Sequence, residues 1–194
     1  MLPILLSIEQ RKKKTDRINH IAVRSLAEIA KQKRIKLINF SVDYVFDGSS
    51  HKLYTDDDIN PQSVYGLTKL QREKELLSIN PEKSIIIRTS WVYSSFGNNF
   101  VKIMLRLGIE RESLNVIFDQ IGTPTYARDL ANAAIKIIPL LNNKDVEVFN
   151  YSNEGVLSCY GTRHGSGVKC IRLKQRIIQL WQYDRTIPCL IKLK

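Results

Sequence analysis

The chain alternates between short apolar runs and longer segments in which apolar residues recur every three or four positions. Short runs are typical of buried parallel strands, and the wider spacing is typical of amphipathic helices. The runs predict strands at 36–40, 83–89, 114–118 and 146–151. The spaced segments predict helices at 15–33, 63–79, 99–108 and 126–141. This alternation predicts an α/β fold with a parallel sheet and right-handed crossovers.

Local signals refine the ends of these elements. Thr15 or Asp16 can cap the first helix, whose apolar face is predicted from Ile18, Ala22, Leu26 and Ile29. The second helix is predicted to end at Asn80-Pro81, because proline cannot continue a helix. Between the first strand and the second helix, residues 43–62 are predicted to form a polar loop.

Composition places the chain among globular proteins with one sizeable core: 194 residues, 43% of them hydrophobic and 25% charged. No apolar run reaches the roughly 18 residues that a membrane helix needs. The three cysteines lack the spacing of a zinc site or a disulfide framework, and no metal site is predicted. These observations predict a cytoplasmic protein without a membrane partner.

The net charge of +11 raises the question of nucleic-acid binding, and the distribution of that charge argues against it. Residues 1–36 carry ten basic and three acidic side chains, and residues 161–194 carry eight and one. Residues 37–160 carry twelve basic and fifteen acidic side chains. The basic ends contain few aromatic residues that could stack on bases, so no nucleic-acid partner is predicted.

Tyr65 and Lys69 are the candidate chemical groups. Four residues apart on a helix, they lie on one face and can address one site. A nearby ammonium stabilises a phenolate, so Lys69 is expected to lower the pKa of Tyr65 from about 10. A tyrosine with such a partner can transfer a proton to a carbonyl group.

Five segments in order carry a resemblance that the pair alone would not support. They are FSVDYVFDG (40–48), NPQSVYGLTK (60–69), RTSWVY (88–93), GNNFV (97–101) and DQIGTPT (119–125). Through them the chain resembles the extended short-chain dehydrogenase/reductase family, and within it the dTDP-4-dehydrorhamnose reductases. The likeness extends from about Leu37 to Tyr160.

The resemblance implies a fold and an activity. The fold is an incomplete Rossmann-like parallel sheet with helices on both faces, plus the remnant of a small substrate lobe. The implied activity is reduction of a 4-keto dTDP-sugar with NADPH, with NADH as the alternative cofactor. Whether the chain forms a homodimer is left open.

The resemblance also implies roles for individual residues. Tyr65 is the implied proton donor, and Lys69 adjusts its pKa and contacts the nicotinamide ribose. Further cofactor contacts are implied for Ser41 and Thr89, and substrate contacts for Val42, Asp43 and Trp91.

The chain departs from the family pattern at three places. Val42 stands where relatives carry a threonine whose hydroxyl binds the substrate carbonyl, and valine has no hydrogen-bond donor. Residues 1–40 contain no glycine, so the glycine-rich phosphate turn of a dinucleotide-binding fold is missing there. Beyond about residue 160 the likeness stops abruptly, as after a change of reading frame.

These departures lead to a division and to two rival hypotheses. Residues 1–160 are expected to form a partial reductase-like domain, truncated at the N-terminus, and residues 161–194 a basic, disordered tail. One rival is a non-catalytic interaction or regulatory relative, similar to the β subunit of methionine adenosyltransferase. The other is the product of a gene remnant without function.

Overall fold

The computed structural model describes residues 21–49, 59–111, 121–153, 157–158 and 189–192. The chain divides into two compact units. The first comprises Met1–Thr89, Lys136–Asn150 and Ile191–Lys194, and the second comprises Ser90–Ile135 and Tyr151–Leu190.

A four-stranded sheet is the main β-structure of the described residues. Its strands are β1 (Leu37–Val42), β2 (Ser84–Thr89), β6 (Glu147–Ser152) and β8 (Cys189–Lys192), in the order β1-β2-β6-β8. Strands β1 and β2 are parallel, with Leu37 opposite Ser84 and Val42 opposite Thr89. Because parallel strands end at the same edge of a sheet, this register places the last residues of both strands side by side.

Two helices of the first unit, α1 (Ala22–Lys33) and α2 (Val64–Ile79), end where their sequences predict. The Ser63 hydroxyl accepts a hydrogen bond from the Gly66 amide at 3.0 Å and caps α2. At the other end Asn80 adopts the left-handed conformation, with φ 50°, that terminates many helices. The predicted start and stop of the second helix are therefore confirmed.

The face that α1 buries differs from the predicted one. Leu26 and Ile29 are 54% and 49% exposed, whereas Ala27 and Ala30 are buried. Ala27 belongs to a core cluster with Leu76, Ile86 and Val146, against which Leu37, Ile79 and Val148 also pack. Small alanine side chains let the helix approach its neighbours closely, a preference that the spacing of large apolar residues does not reveal. The predicted Ile18 and the Thr15 or Asp16 cap lie outside the described residues.

The second unit contains shorter elements. They are β3 (Val92–Tyr93), α3 (Phe100–Glu110), β4 (Ile121–Gly122), β5 (Thr125–Tyr126), most of α4 (Ala127–Ile137) and β7 (Leu157–Ser158). Strand β3 pairs with β5 in parallel, and β4 pairs with β7 in antiparallel orientation. Asn99 caps α3 by accepting from the Lys102 amide at 3.1 Å. The predicted helix at 126–141 is shorter, because it tightens into a 3-10 turn at Ile138–Leu140.

Strand prediction succeeded for long apolar runs and failed for short pairings. The four two-residue strands were not predicted, since two residues carry no measurable periodicity. The predicted strand at 114–118 lies outside the described residues. In the tail expected to be disordered, Cys189–Lys192 forms a strand, and residues 161–188 lie outside the described part.

Two kinds of feature are absent from the described residues. No helix among them is long and apolar enough to cross a membrane. No group of three or more His, Cys, Asp or Glu side chains in these ranges could hold a metal ion.

Candidate active site

The N-terminal turn of α2 packs against the 3-10 turn Asp43–Val45 that follows β1. The contact depends on Gly66, because a Cβ at this position would collide with the Tyr44 carbonyl oxygen. This close approach brings the Tyr65 ring to 5.9 Å from the Tyr44 ring in an edge-to-face arrangement. Tyr65 is thus held beside the end of β1 while 45% of it stays exposed.

Lys69 lies next to Tyr65, as the helix spacing predicts, and it contacts the face of the ring. Its Nζ atom is over the aromatic ring, 5.4 Å from the ring centroid, which is a cation–π contact. Burial raises the pKa of Tyr65 above its usual value, the positive charge of Arg72 opposes this, and Asp43 and Tyr44 reinforce it. The expected net lowering of this pKa is therefore not found, because the effect of burial exceeds that of the Arg72 charge.

The ammonium group of Lys69 is itself perturbed. Burial, with a smaller contribution from the Arg72 charge, lowers the pKa of Lys69 to about 8. Desolvation and a like charge both disfavour the protonated amine. Lys69 therefore carries its charge at neutral pH and loses it in mildly alkaline solution.

Asp43 is the acidic member of the site. Burial raises the pKa of its carboxyl group to about 6, although the amides of Asp43 and Tyr44 bond to it and act in the opposite direction. The carboxylate is not paired with Lys69 or Arg72 by any ion pair among the described residues. Asp43 therefore changes charge near pH 6, beside the Tyr65 phenol.

Buried hydroxyl groups lie at the ends of both parallel strands. Ser41 is 1% exposed and Thr89 is 8% exposed, and neither hydroxyl has a hydrogen-bond partner among the described residues. Val42, between Ser41 and Asp43, is only partly buried, as strand alternation predicts. Open α/β folds bind ligands at this edge of the sheet, and buried polar atoms without partners are typical of places where a ligand or water completes the bonding.

Trp91 belongs to the second unit, and its backbone is unusual. Its φ angle of 41° lies in the left-handed region, where a bulky side chain is strained. The Thr125 amide donates to the Trp91 carbonyl at 3.2 Å, and a Cβ at Gly122 would be 2.7 Å from the indole. Such strain is common at functional positions, and the substrate role of Trp91 stays a prediction.

Two charged residues near the site, Arg72 and Glu73, were missed in the sequence. Arg72 follows Tyr65 by seven residues and Lys69 by three, a spacing that places all three on one helix face and could have been noticed. Glu73 and Arg88 form a buried ion pair, with Arg88 Nη2 2.7 Å from Glu73 Oε2. No spacing rule links these two, because the contact joins a helix to a strand.

Comparison with known proteins gives consistent results. The model of the RmlD substrate binding domain family matches residues 6–165. A dTDP-4-dehydrorhamnose reductase of Aggregatibacter actinomycetemcomitans is 42% identical over 147 residues, which cover 74% of this chain and 50% of that protein. The chain thus spans about half the length of the curated relatives it matches.

Solved structures of related proteins support the fold. A dTDP-4-dehydrorhamnose reductase from Clostridium acetobutylicum superposes with a TM-score of 0.73 at 35% identity, covering 93% of this chain and 59% of that one. A reductase of the same name from Bacillus anthracis, solved with NADP, gives 0.73 at 32% identity, with 92% and 59% covered. The α/β fold with its parallel β1–β2 pair is therefore Rossmann-like, as the sequence predicted.

Proposed function

The chain belongs to the RmlD substrate binding domain family, and from this membership we propose that it forms part of an NADPH-dependent dTDP-4-dehydrorhamnose reductase. The observation that carries the proposal is the pairing of Tyr65 with Lys69 beside the end of β1. A partly buried phenol next to a cation, at the ligand-binding edge of a parallel sheet, suits proton transfer to a carbonyl. The relatives are named as reductases, which favours this hypothesis over a non-catalytic relative.

In this proposal Tyr65 donates a proton to the oxygen of the 4-keto group. Burial raises its pKa, so the phenol keeps its proton at neutral pH, which is the state that a general acid needs. NADPH, when bound, supplies the hydride to the carbonyl carbon. NADP in the related B. anthracis structure favours NADPH over NADH.

The polar groups around Tyr65 fit a nicotinamide cofactor. Lys69 is charged below about pH 8 and can donate to ribose hydroxyls. The buried Ser41 and Thr89 hydroxyls, which lack partners among the described residues, can bond to the same cofactor. These three residues are the proposed cofactor contacts.

The substrate contacts are assigned to Val42, Asp43 and Trp91. Val42 has nearly the shape of a threonine but no hydroxyl group, so it cannot donate a hydrogen bond. The oxygen of the substrate carbonyl therefore depends on Tyr65 for hydrogen bonding. A missing donor of this kind slows catalysis by about a hundredfold. The substrate is proposed to be a dTDP-linked 4-keto sugar, the class named for the relatives.

Other parts of the proposal concern organisation. We keep residues 1–160 as the reductase-like part and residues 161–194 as a basic tail, of which Cys189–Lys192 is a strand. A cytoplasmic location and a homodimer stay predictions.

The test is oxidation of NADPH by dTDP-4-dehydrorhamnose, followed through the absorbance of the reduced nicotinamide. It is run on the chain itself and on a chimaera completed with the uncovered parts of the A. actinomycetemcomitans reductase. Tyr65→Phe keeps the ring and removes the proton, and should lower kcat by about 10²–10⁴-fold.

Tyr126→Phe in the second unit is the matched control, since it removes a phenol hydroxyl elsewhere, and its turnover should equal that of the parent. A Tyr65→Phe chimaera as fast as the parent would show that Tyr65 is not the proton donor. A chimaera without any turnover would refute the proposed activity.

A further inference from the structure

Arg72 is a buried cation on the face of α2 that carries Tyr65 and Lys69. The three residues follow one another at intervals of four and three positions, and Arg72 is only 8% exposed. Its guanidinium Nη2 donates to the backbone carbonyl of Phe40, two residues before the end of β1. Arg72 therefore ties α2 to the strand that leads into Ser41, Val42 and Asp43.

Burial lowers the pKa of Arg72, whereas the charges of Tyr65 and Glu73 act in the opposite direction. Arg72 itself forms no ion pair among residues 21–49, 59–111 and 121–153. Its Nε is buried and lacks a hydrogen-bond partner in the same ranges. The adjacent carboxylate of Glu73 bonds through both oxygens to Arg88. Burying a charge without a counterion costs considerable free energy. In the low-dielectric interior of a protein, such a charge also acts strongly on neighbouring groups.

Those neighbours are the groups of the candidate site. Asp43 and Tyr44 from the 3-10 turn, and Lys69 and Arg72 from α2, are the titratable groups around Tyr65. The Arg72 charge lowers the pKa of Tyr65 and also that of Lys69. Lys69 lies over the ring face, and the charge of Arg72 favours the negatively charged form of the phenol.

We propose that Arg72 is a positioning residue of the candidate site. It ties α2 to β1 through the Phe40 carbonyl and holds a positive charge, without an ion pair among the described residues, on the helix face that carries Tyr65 and Lys69. Its part in carbonyl reduction rests on the proposed function. Its effect on the proton affinity of the two side chains does not, and can be measured in the chain itself. Arg72 acts through Tyr65 and Lys69 without a substrate contact.

The experiment titrates Tyr65 by NMR in chain labelled with ¹³Cζ-tyrosine, with the signal assigned by Tyr65→Phe. Arg72→Gln removes the charge and should move the pKa of Tyr65 upward. Loss of the local packing would expose Tyr65 and move its pKa downward, toward about 10. The sign of the shift therefore separates an electrostatic role from a merely structural one.

Two matched variants complete the comparison. Lys74→Gln removes one positive charge from an exposed position of the same helix and should shift the pKa of Tyr65 far less. Arg72→Lys keeps the charge and should bring the Tyr65 pKa back toward that of the unmutated chain. Equal shifts in Arg72→Gln and Lys74→Gln, or no shift in Arg72→Gln, would overturn the proposal.

A measurement on the unmutated chain decides the matter if Arg72→Gln does not fold. The Arg72 guanidinium, held by the Phe40 carbonyl, should show slow rotation about the Nε–Cζ bond and protected protons in ¹⁵N spectra. A freely rotating, unprotected Arg72 would overturn the proposal. Neither measurement uses turnover, so an inactive enzyme refutes the proposed function and leaves this inference standing.

Discussion

Two buried arginines, Arg72 on α2 and Arg88 on β2, differ in how their charges are compensated. Arg88, on β2, is 3% exposed and pairs with Glu73, whose carboxylate it reaches at 2.7–3.2 Å. Arg72, next to Glu73 in sequence, has the Phe40 carbonyl as its acceptor and no ion pair among the described residues. The charge of Arg88 is paired within the core, whereas the charge of Arg72 acts to lower the pKa values of Tyr65 and Lys69.

The comparison separates two uses of a buried charge. Where a charge is paired and bonded, its removal leaves the partner uncompensated, and the effect appears in stability. Where a charge lacks a counterion, its removal changes the proton affinity of nearby groups. The adjacent residues Arg72 and Glu73 of α2 therefore have different roles, one acting on the candidate site and the other stabilising the core.

The largest effect is expected from breaking the Glu73–Arg88 ion pair. Glu73→Gln takes from the buried Arg88 the carboxylate that it bonds at 2.7–3.2 Å, and should lower the free energy of unfolding by about 3–5 kcal/mol. Urea denaturation measures this loss. The matched control is Glu28→Gln, which breaks the exposed Arg24–Glu28 pair and should cost about 0–1 kcal/mol.

A double substitution tests the reason for that loss. Glu73→Leu combined with Arg88→Met replaces the pair by apolar side chains and should recover most of the stability. A Glu73→Gln loss as small as that of Glu28→Gln would contradict the structural role given to the pair.

A second change sharpens the chemical side of the comparison. Val42→Thr restores a hydroxyl where the substrate carbonyl is expected, and should raise kcat of the active chimaera by up to about a hundredfold, or ~3 kcal/mol. The swap is nearly isosteric, with a stability cost of about 1 kcal/mol for the added polar group. Val92→Thr, the same substitution in the second unit, should leave kcat unchanged. An unaltered kcat in Val42→Thr would remove Val42 from the substrate contacts.

The smallest effect concerns Asp43 and the pH dependence of stability. Its pKa is raised to about 6 in the folded chain, against 3.8 as the ordinary value, so the folded state binds more protons between about pH 4 and 6. The stability contribution of Asp43 is thus full below about pH 4 and is lost as pH rises through 6. Asp43→Asn should remove this decline and give a more stable protein at pH 7, measured by urea denaturation across the range.

Asp47→Asn supplies a control of opposite sign. Hydrogen bonds from Ser49 lower the pKa of Asp47, so its contribution to stability grows as pH rises and is lost on acidification. An Asp43→Asn chain with the same pH slope as the unmutated protein would show that the carboxyl of Asp43 is not buried in solution.

Local signals predicted much of the fold and the chemical pair. The start of α2 at about residue 63, its stop at Asn80 and the apolar run of β2 each depend on neighbouring residues, and the structure has all three. The contact between Tyr65 and Lys69 follows from helix geometry alone, because residues four apart share a face. Family resemblance supplied the roles of both, which stay proposals.

Tertiary structure decided what depends on packing between elements. The buried face of α1 follows from how closely Ala27 approaches Leu76, and the Glu73–Arg88 pair joins residues that no periodicity relates. The pKa of Tyr65 rises because burial outweighs the nearby positive charges, although its sequence neighbour Lys69 predicts the reverse. Spacing along a chain determines which groups can meet on one element, whereas desolvation and charge compensation depend on every element packed around them.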